Sequence, residues 1–396
     1  MARTTTLRAG RPEDVDLRPE RIERARDLLA GHVRDGRTPA IVGLVARRGT
    51  VVIDEAHGEL RPGGPALTPD AIFPISSMTK PLTATLAMIL CEDGLLSVGR
   101  PAREYVPELA GEDIDDVLVH HLLTHTSGWD DNMVFEHALK KISAGSLPAP
   151  PPDEHPFHYL TLRGGLDAPR KTPPGEIMIY SNFNYTLLGE IVARVAGKPL
   201  EEFARERLFG PLGMNGTDYV VREDMRERLV VMPPDAPMKQ GLMGMPGVET
   251  EAWQRMPNGG GGAFSTTRDM ATFAQTMLNG GRYGDERILS RPAVAEMTRN
   301  QIPGVAALFF DNPMPEGGYG YGWMIRTWVC WRYLNGLTSP GSYSHTGAGG
   351  ISFWIDPENE TIQVVFEVCM DISEDLEPRS WLFDRFQSVV ASAIDD

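Results

Sequence analysis

Lysine is scarce in this chain: six lysines stand against 32 arginines in 396 residues. Cysteine is scarcer still, with Cys91, Cys330 and Cys369 far apart, a set that makes neither a disulfide framework nor a zinc-binding spacing. No stretch reaches the ~18 apolar residues of a membrane span. The first twenty residues hold no apolar run of the secretory kind, so the expectation is a cytoplasmic protein. Gly-x-Ser-x-Gly, the nucleophile elbow of α/β-hydrolases, is missing as well. Positive charge is in deficit: the net charge is −16, which repels phosphate backbones and argues against nucleic acid as a partner.

What is present is ordinary globular material, 41% hydrophobic and 23% charged, long enough for two or three domain-sized units or one bilobed enzyme. Residues 19–35 read as an amphipathic helix with Ile22, Ala25, Leu28, Leu29 and Val33 on one stripe and Gly36 as its stop. Residues 40–58 read as two strands around Arg48-Gly49. Helical periodicity runs through 78–93, 112–128 and 184–209, while the prolines of 147–156 keep that stretch out of a helix. Thr266 is expected to start a helix with Asp269 completing a capping box. Strands return at 320–331, 341–347, 351–356 and 361–370, and 379–394 reads as a closing helix. The fold class expected is α/β of the α+β type. An antiparallel sheet flanked by helices is built from both chain ends (1–82 and 255–396), with a mainly helical lobe (83–254) inserted and a site in the cleft between them.

Three short motifs carry chemistry. In "ISSMTKP" (75–81) Lys80 is the one lysine with a serine three residues before it. Residues three apart share a helix face, so the amine can reach the Ser77 hydroxyl. Arginine cannot replace a lysine that must lose its proton. Ser77 is expected to cap the following helix, whose N-terminus offers free N–H groups and a positive dipole end. In "IYSNF" (179–183) Tyr180 can relay a proton, and Asn182 can donate to a substrate carbonyl and tie down the lysine. In "SYSHTGAGG" (342–350) His345 can supply charge or a hydrogen bond, and the glycine-lined strand edge lets a substrate approach. Each motif alone has a structural explanation: a helix cap, a half-buried aromatic, a strand histidine.

Taken in order, the motifs resemble those of the penicillin-recognising serine hydrolases: class C β-lactamases, DD-peptidases, D-aminopeptidases and family VIII carboxylesterases. "HHLLTHTSG" (120–128), "PLGM" (211–214) and "GGAFSTTRDM" (261–270) fit the same group, and the resemblance spans about residues 20–390. It implies a β-lactamase/transpeptidase-like fold, Ser77 acylated, and Lys80 and Tyr180 sharing general-base work. It implies Asn182 orienting the substrate and an oxyanion hole from the N–H groups of Ser77 and Ala348. His345, with Thr346 and Gly347, stands where β-lactamases carry lysine, which counts against a dedicated β-lactamase. Trp129, Phe183, Phe309 and Phe310 are candidates for an acyl pocket, with core packing the alternative for each.

The leading expectation is therefore a carboxylesterase working through an acyl-enzyme on a small-molecule ester, with no cofactor and no metal. The spacing of His121 and His125 lacks the intervening glutamate of a His-Glu-x-x-His site. The alternatives are an amidase or peptidase of D-amino-acid substrates, with weak β-lactam turnover, and an acyltransferase of the same fold. A non-catalytic relative would be expected to lack Ser77, Lys80 or Tyr180. Oligomeric state is not written in any pattern.

Overall fold

A computed structural model describes residues 5–152, 154–241, 245–309, 312–327, 337–370 and 382–395. Its centre is a seven-stranded sheet whose order is Arg8–Ala9, Thr50–Gly58, Ala40–Arg47, Thr361–Glu367, Ile351–Asp356, Tyr343–Gly347 and Met324–Ile325. The N-terminal strand pairs in parallel, and the other neighbours are antiparallel. Strands from the two ends of the chain thus meet in mid-sheet, where Ile41 faces Glu367 and Arg47 faces Thr361.

The run Ala40–Arg47 is buried along its whole length because helices cover both faces of the sheet. Side chains alternate across a strand. Ile41 and Val45 therefore pack with Leu29, Phe383 and Phe386, from the helices Pro19–Arg34 and Phe383–Ala391. Val42, Leu44 and Ala46 belong to the opposite core with Met270 and Phe273 of the helix Thr267–Leu278. Gly43 completes the fit: a Cβ there would lie 2.4 Å from Leu29 Cδ1, so only hydrogen leaves room for the leucine.

The helix Thr79–Glu92 leaves the sheet and packs on Asn182–Ala196, its residues buried from Thr79 to Leu90. It ends before Gly94 at φ 73°, as the pattern predicts. A small sheet joins Met178–Ile179 to Ala307–Phe309 and Asn312–Met314. This pairing fixes the residue that follows it, Tyr180.

Several expectations are corrected. The stretch 112–128 holds only a turn at Ile114–Asp116 and the short helix Val119–Leu123. The helical stretch expected over 184–209 is broken after Ala196, where Gly197 turns left-handed at φ 68°, and resumes from Leu200 to Phe209. Thr266 does cap its helix by accepting from the Asp269 N–H, but the Asp269 carboxylate accepts from the Gly216 N–H and the Thr217 hydroxyl. Within 320–331 the strand is Met324–Ile325, and 328–331, including Cys330, lies outside the described residues, as do Phe310 and 379–381. Among the described residues no helix is long and apolar enough to cross a membrane.

Candidate active site

The Ser-x-x-Lys motif folds as a tight turn, Ser76–Met78, ahead of the helix that starts at Thr79. Ser77 is not the cap that its position suggests. It lies in the turn, with its hydroxyl left to accept from Lys80 Nζ at 3.0 Å. Ser76 takes the strain, at φ 43°, and donates its hydroxyl to the Ala348 carbonyl at 2.9 Å. That bond docks the turn on the end of the strand Tyr343–Gly347. Contact is close: a Cβ on Gly347 would stand 2.6 Å from the Ile75 carbonyl oxygen. The strand-edge glycine is thus explained by the turn that it admits.

Lys80 is fully buried. Its ammonium donates to Ser77 Oγ, to Asn182 Oδ1 at 2.8 Å and to the Gly260 carbonyl at 2.7 Å. Burial lowers its pKa to about 7, against a smaller upward pull from Asp131. Of the three neighbours, only the serine hydroxyl has a hydrogen to give. A neutral Lys80 therefore keeps two donations, to Asn182 and Gly260, and turns its lone pair to Ser77.

Tyr180 hydrogen-bonds Ser77 and lays its ring 4.8 Å from Lys80 Nζ. Burial holds its phenol well above the ordinary range, so it stays protonated at neutral pH. Asn182 opens the helix Asn182–Ala196, with its amide Nδ2 donating to Asp131 Oδ2 at 2.9 Å. The tie to the lysine is present, and the amide's donor side is turned to Asp131.

Of the two roles open to His345, charge or a hydrogen bond, its surroundings leave the hydrogen bond. It is 1% exposed, and burial, reinforced by repulsion from Lys80, pushes its pKa down to about 3. Both ring nitrogens are engaged: Nδ1 lies 2.6 Å from the Thr346 carbonyl and Nε2 lies 3.0 Å from the Tyr319 hydroxyl. The imidazole is neutral, donating from Nδ1 and accepting at Nε2. Thr346 is almost buried and Ala348 partly so.

Of the pocket candidates, Trp129 and Phe183 are fully buried and pack edge to face at 4.9 Å, with the indole N–H given to the Ala168 carbonyl. They are core. Phe309 stays partly exposed with its ring 5.0 Å from that of Tyr180, so it borders the site.

Sequence reasoning missed the supporting residues. Asn258 Oδ1 accepts from the Gly260 and Gly261 N–H groups and so aims the Gly260 carbonyl at Lys80. The run of glycines at 259–262 was the available signal: a Cβ on Gly259 would come within 2.5 Å of the Tyr185 carbonyl oxygen. His125 packs its ring 4.5 Å from that of Tyr180 and accepts from the Ser181 N–H. Asp131, which binds Asn182, carried no signal beyond an acidic helix start.

A sheet closed by both chain ends, with a serine, a buried lysine and a tyrosine beside it, defines a β-lactamase-fold serine hydrolase. The chain belongs to the family described as Beta-lactamase, whose pattern matches residues 25–370. A relative from Escherichia coli (strain K12), named "Putative D-alanyl-D-alanine carboxypeptidase", is 25% identical over 393 residues, covering 90% of this chain and 84% of the relative. Among solved structures, "EstCE1, a hydrolase with promiscuous acyltransferase activity" superposes with a TM-score of 0.73 at 19% identity, covering 95% of this chain and 98% of that one. A family VIII carboxylesterase superposes with a TM-score of 0.70 at 20% identity, over 96% and 98%. At such identities the two structures speak for the fold.

Proposed function

We propose that this protein is a carboxylesterase that hydrolyses small-molecule esters through an acyl-enzyme on Ser77. One observation carries the reading: a lysine amine that burial brings to a pKa of about 7 lies 3.0 Å from a serine hydroxyl. That is an amine poised to take and return a proton at working pH.

In the first half-reaction neutral Lys80 accepts the Ser77 proton as Oγ bonds to the ester carbonyl carbon. The oxyanion is assigned to the N–H groups of Ser77 and Ala348, which the Ser76–Ala348 hydrogen bond holds on facing segments. Collapse breaks the carbon–oxygen bond to the alcohol. The leaving oxygen takes a proton from the Tyr180 hydroxyl, which Lys80 replenishes. Water then repeats the sequence on the acyl-enzyme and frees Ser77. The tyrosine works as a proton relay rather than as a base, since its own pKa is raised.

Ester is favoured over a peptide that ends in a free carboxylate because His345, which would have to be protonated to hold that carboxylate, is uncharged. The name of the Escherichia coli relative favours the second reading, a peptidase of the same mechanism. Intact-protein mass spectrometry decides between them. Brief exposure to p-nitrophenyl butyrate should add one butyryl group at Ser77. Labelling by a D-alanyl amide or a penicillin, with the ester leaving no adduct and no turnover, would reject the esterase assignment.

A further inference from the structure

Asp131 is the anion of the site, yet it does not touch Lys80 Nζ. It begins the helix Asp131–Ser143, whose own first N–H groups, at Asn132 and Met133, are capped by Asp130. Asp131 is thereby free to cap another helix. Its Oδ1 accepts from the Ser181 hydroxyl at 2.6 Å and the Phe183 N–H at 3.1 Å. Its Oδ2 accepts from the Asn182 N–H at 2.8 Å and the Asn182 Nδ2 at 2.9 Å. All four partners donate, so both oxygens act as carboxylate acceptors.

Two consequences follow for Lys80. An amide has one accepting and one donating end. With Nδ2 held by Asp131, Oδ1 must face the lysine, so the ammonium meets an acceptor and never a second donor. The fixed negative charge also lies one amide away from the ammonium and favours its charged form. The titratable groups around Lys80 are Tyr180 and Tyr185, whose rings lie 4.8 and 5.8 Å from Nζ, His125, His345 and Asp131. Burial keeps both tyrosines protonated and both histidines unprotonated at neutral pH, which leaves Asp131 as the anion acting on Lys80 among the described residues.

We propose that Asp131 is a positioning residue that sets the proton affinity of Lys80 through Asn182, an inference that rests on the roles given above to Ser77 and Lys80. Without the carboxylate the amine loses its proton at lower pH and loses its oriented acceptor. Activity then falls even though more of the amine is in the basic form.

The test is an NMR titration of the lysine side chains. With six lysines the spectrum is sparse, and Lys80→Arg identifies the Lys80 signal. Asp131→Asn should lower the Lys80 midpoint by about one pH unit. The acid limb of kcat/KM for p-nitrophenyl butyrate should follow, with kcat reduced, and Asp131→Glu should return the midpoint toward its original value. A folded Asp131→Asn protein with the original midpoint overturns the proposal. Where Asp131→Asn does not fold, Ser181→Ala decides. Loss of one donor to the carboxylate strengthens its field, so the midpoint should rise, and one that stays or falls overturns the proposal. The NMR midpoint needs no turnover. A missing Ser77 adduct would therefore reject the esterase reading while the Asp131 result could still be read.

Discussion

At the scale of single residues, Lys80 has few places to send a proton. Gly260 and Asn182 offer it only acceptors, and Tyr180 and Ser77 carry the movable hydrogens. Lys80→Arg keeps the charge but cannot supply a neutral base, so kcat for an activated ester should fall by about 10²-fold or more. Retention of near-original rate would remove Lys80 from proton transfer. With the neutral amine as the proposed base, kcat/KM should climb with pH through about 7 and then level off. The same titration affects stability. The folded pKa lies below the unfolded one, so the unfolded chain binds more protons between them, and stability gains as pH rises across that window. Denaturant titrations at neutral and at alkaline pH should show the original protein gaining on Lys80→Met.

Ser77 and Lys80 could be paired from spacing and residue type, while Tyr180 joined them only through the resemblance carried by the order of the motifs; the fold brings the three side chains together. The state of His345 was not. It depends on burial and on Tyr319, which the fold alone brings to it. Trp129 and Phe183 illustrate the same limit, since an aromatic near a motif in sequence packs wherever the core has room.

At the scale of elements, two close approaches hold the site together. One sets the turn Ser76–Met78 against the strand Tyr343–Gly347. Gly347→Ala would drive a methyl into the Ile75 carbonyl oxygen and, at 2.8 Å, into the Ile351 side chain. The expected cost is about 1–3 kcal/mol of stability, with kcat falling more than KM changes. Thermal melts read beside ester kinetics check both. The other is the glycine loop. Asn258→Ala frees the N–H groups of Gly260 and Gly261 and removes the donor to the Thr186 hydroxyl oxygen, costing about 1–3 kcal/mol. Turnover should fall through the wandering Gly260 carbonyl, and Asn258→Asp should recover part of it. Helix limits at Gly36 and Gly94 were readable because glycine favours the left-handed turn there. The cap expected of Ser77 was misread: its hydroxyl serves Lys80, and local rules for helix starts are set aside where a side chain is wanted for chemistry.

At the scale of the whole molecule, the sheet built from both ends was visible in the strand-like runs at 40–58 and 341–370, while the order of its strands was not. Pairing between Ala40–Arg47 and Thr361–Glu367 is a long-range choice that no local window contains. The two terminal helices share one apolar layer, where Leu29, Ile41, Val365, Phe383 and Phe386 meet. Phe386→Ala should therefore lower global stability by about 3–5 kcal/mol, measured by denaturant unfolding. The kcat of the surviving folded fraction should change little, since that layer lies behind the sheet. Arg47 ties the same corner together, donating to the carbonyls of Val15, Asp16 and Asn359.

The shared sheet also bears on how the chain is made. Residues 40–58 leave the ribosome early but lack their mid-sheet neighbour until 361–367 has been synthesised. Ser77 and Lys80, though translated within the first quarter of the chain, have no strand to dock on until Tyr343–Gly347 follows. A nascent polypeptide stalled short of that point would carry the proposed nucleophile without the strand it docks on, so hydrolytic competence is expected only as translation nears its end.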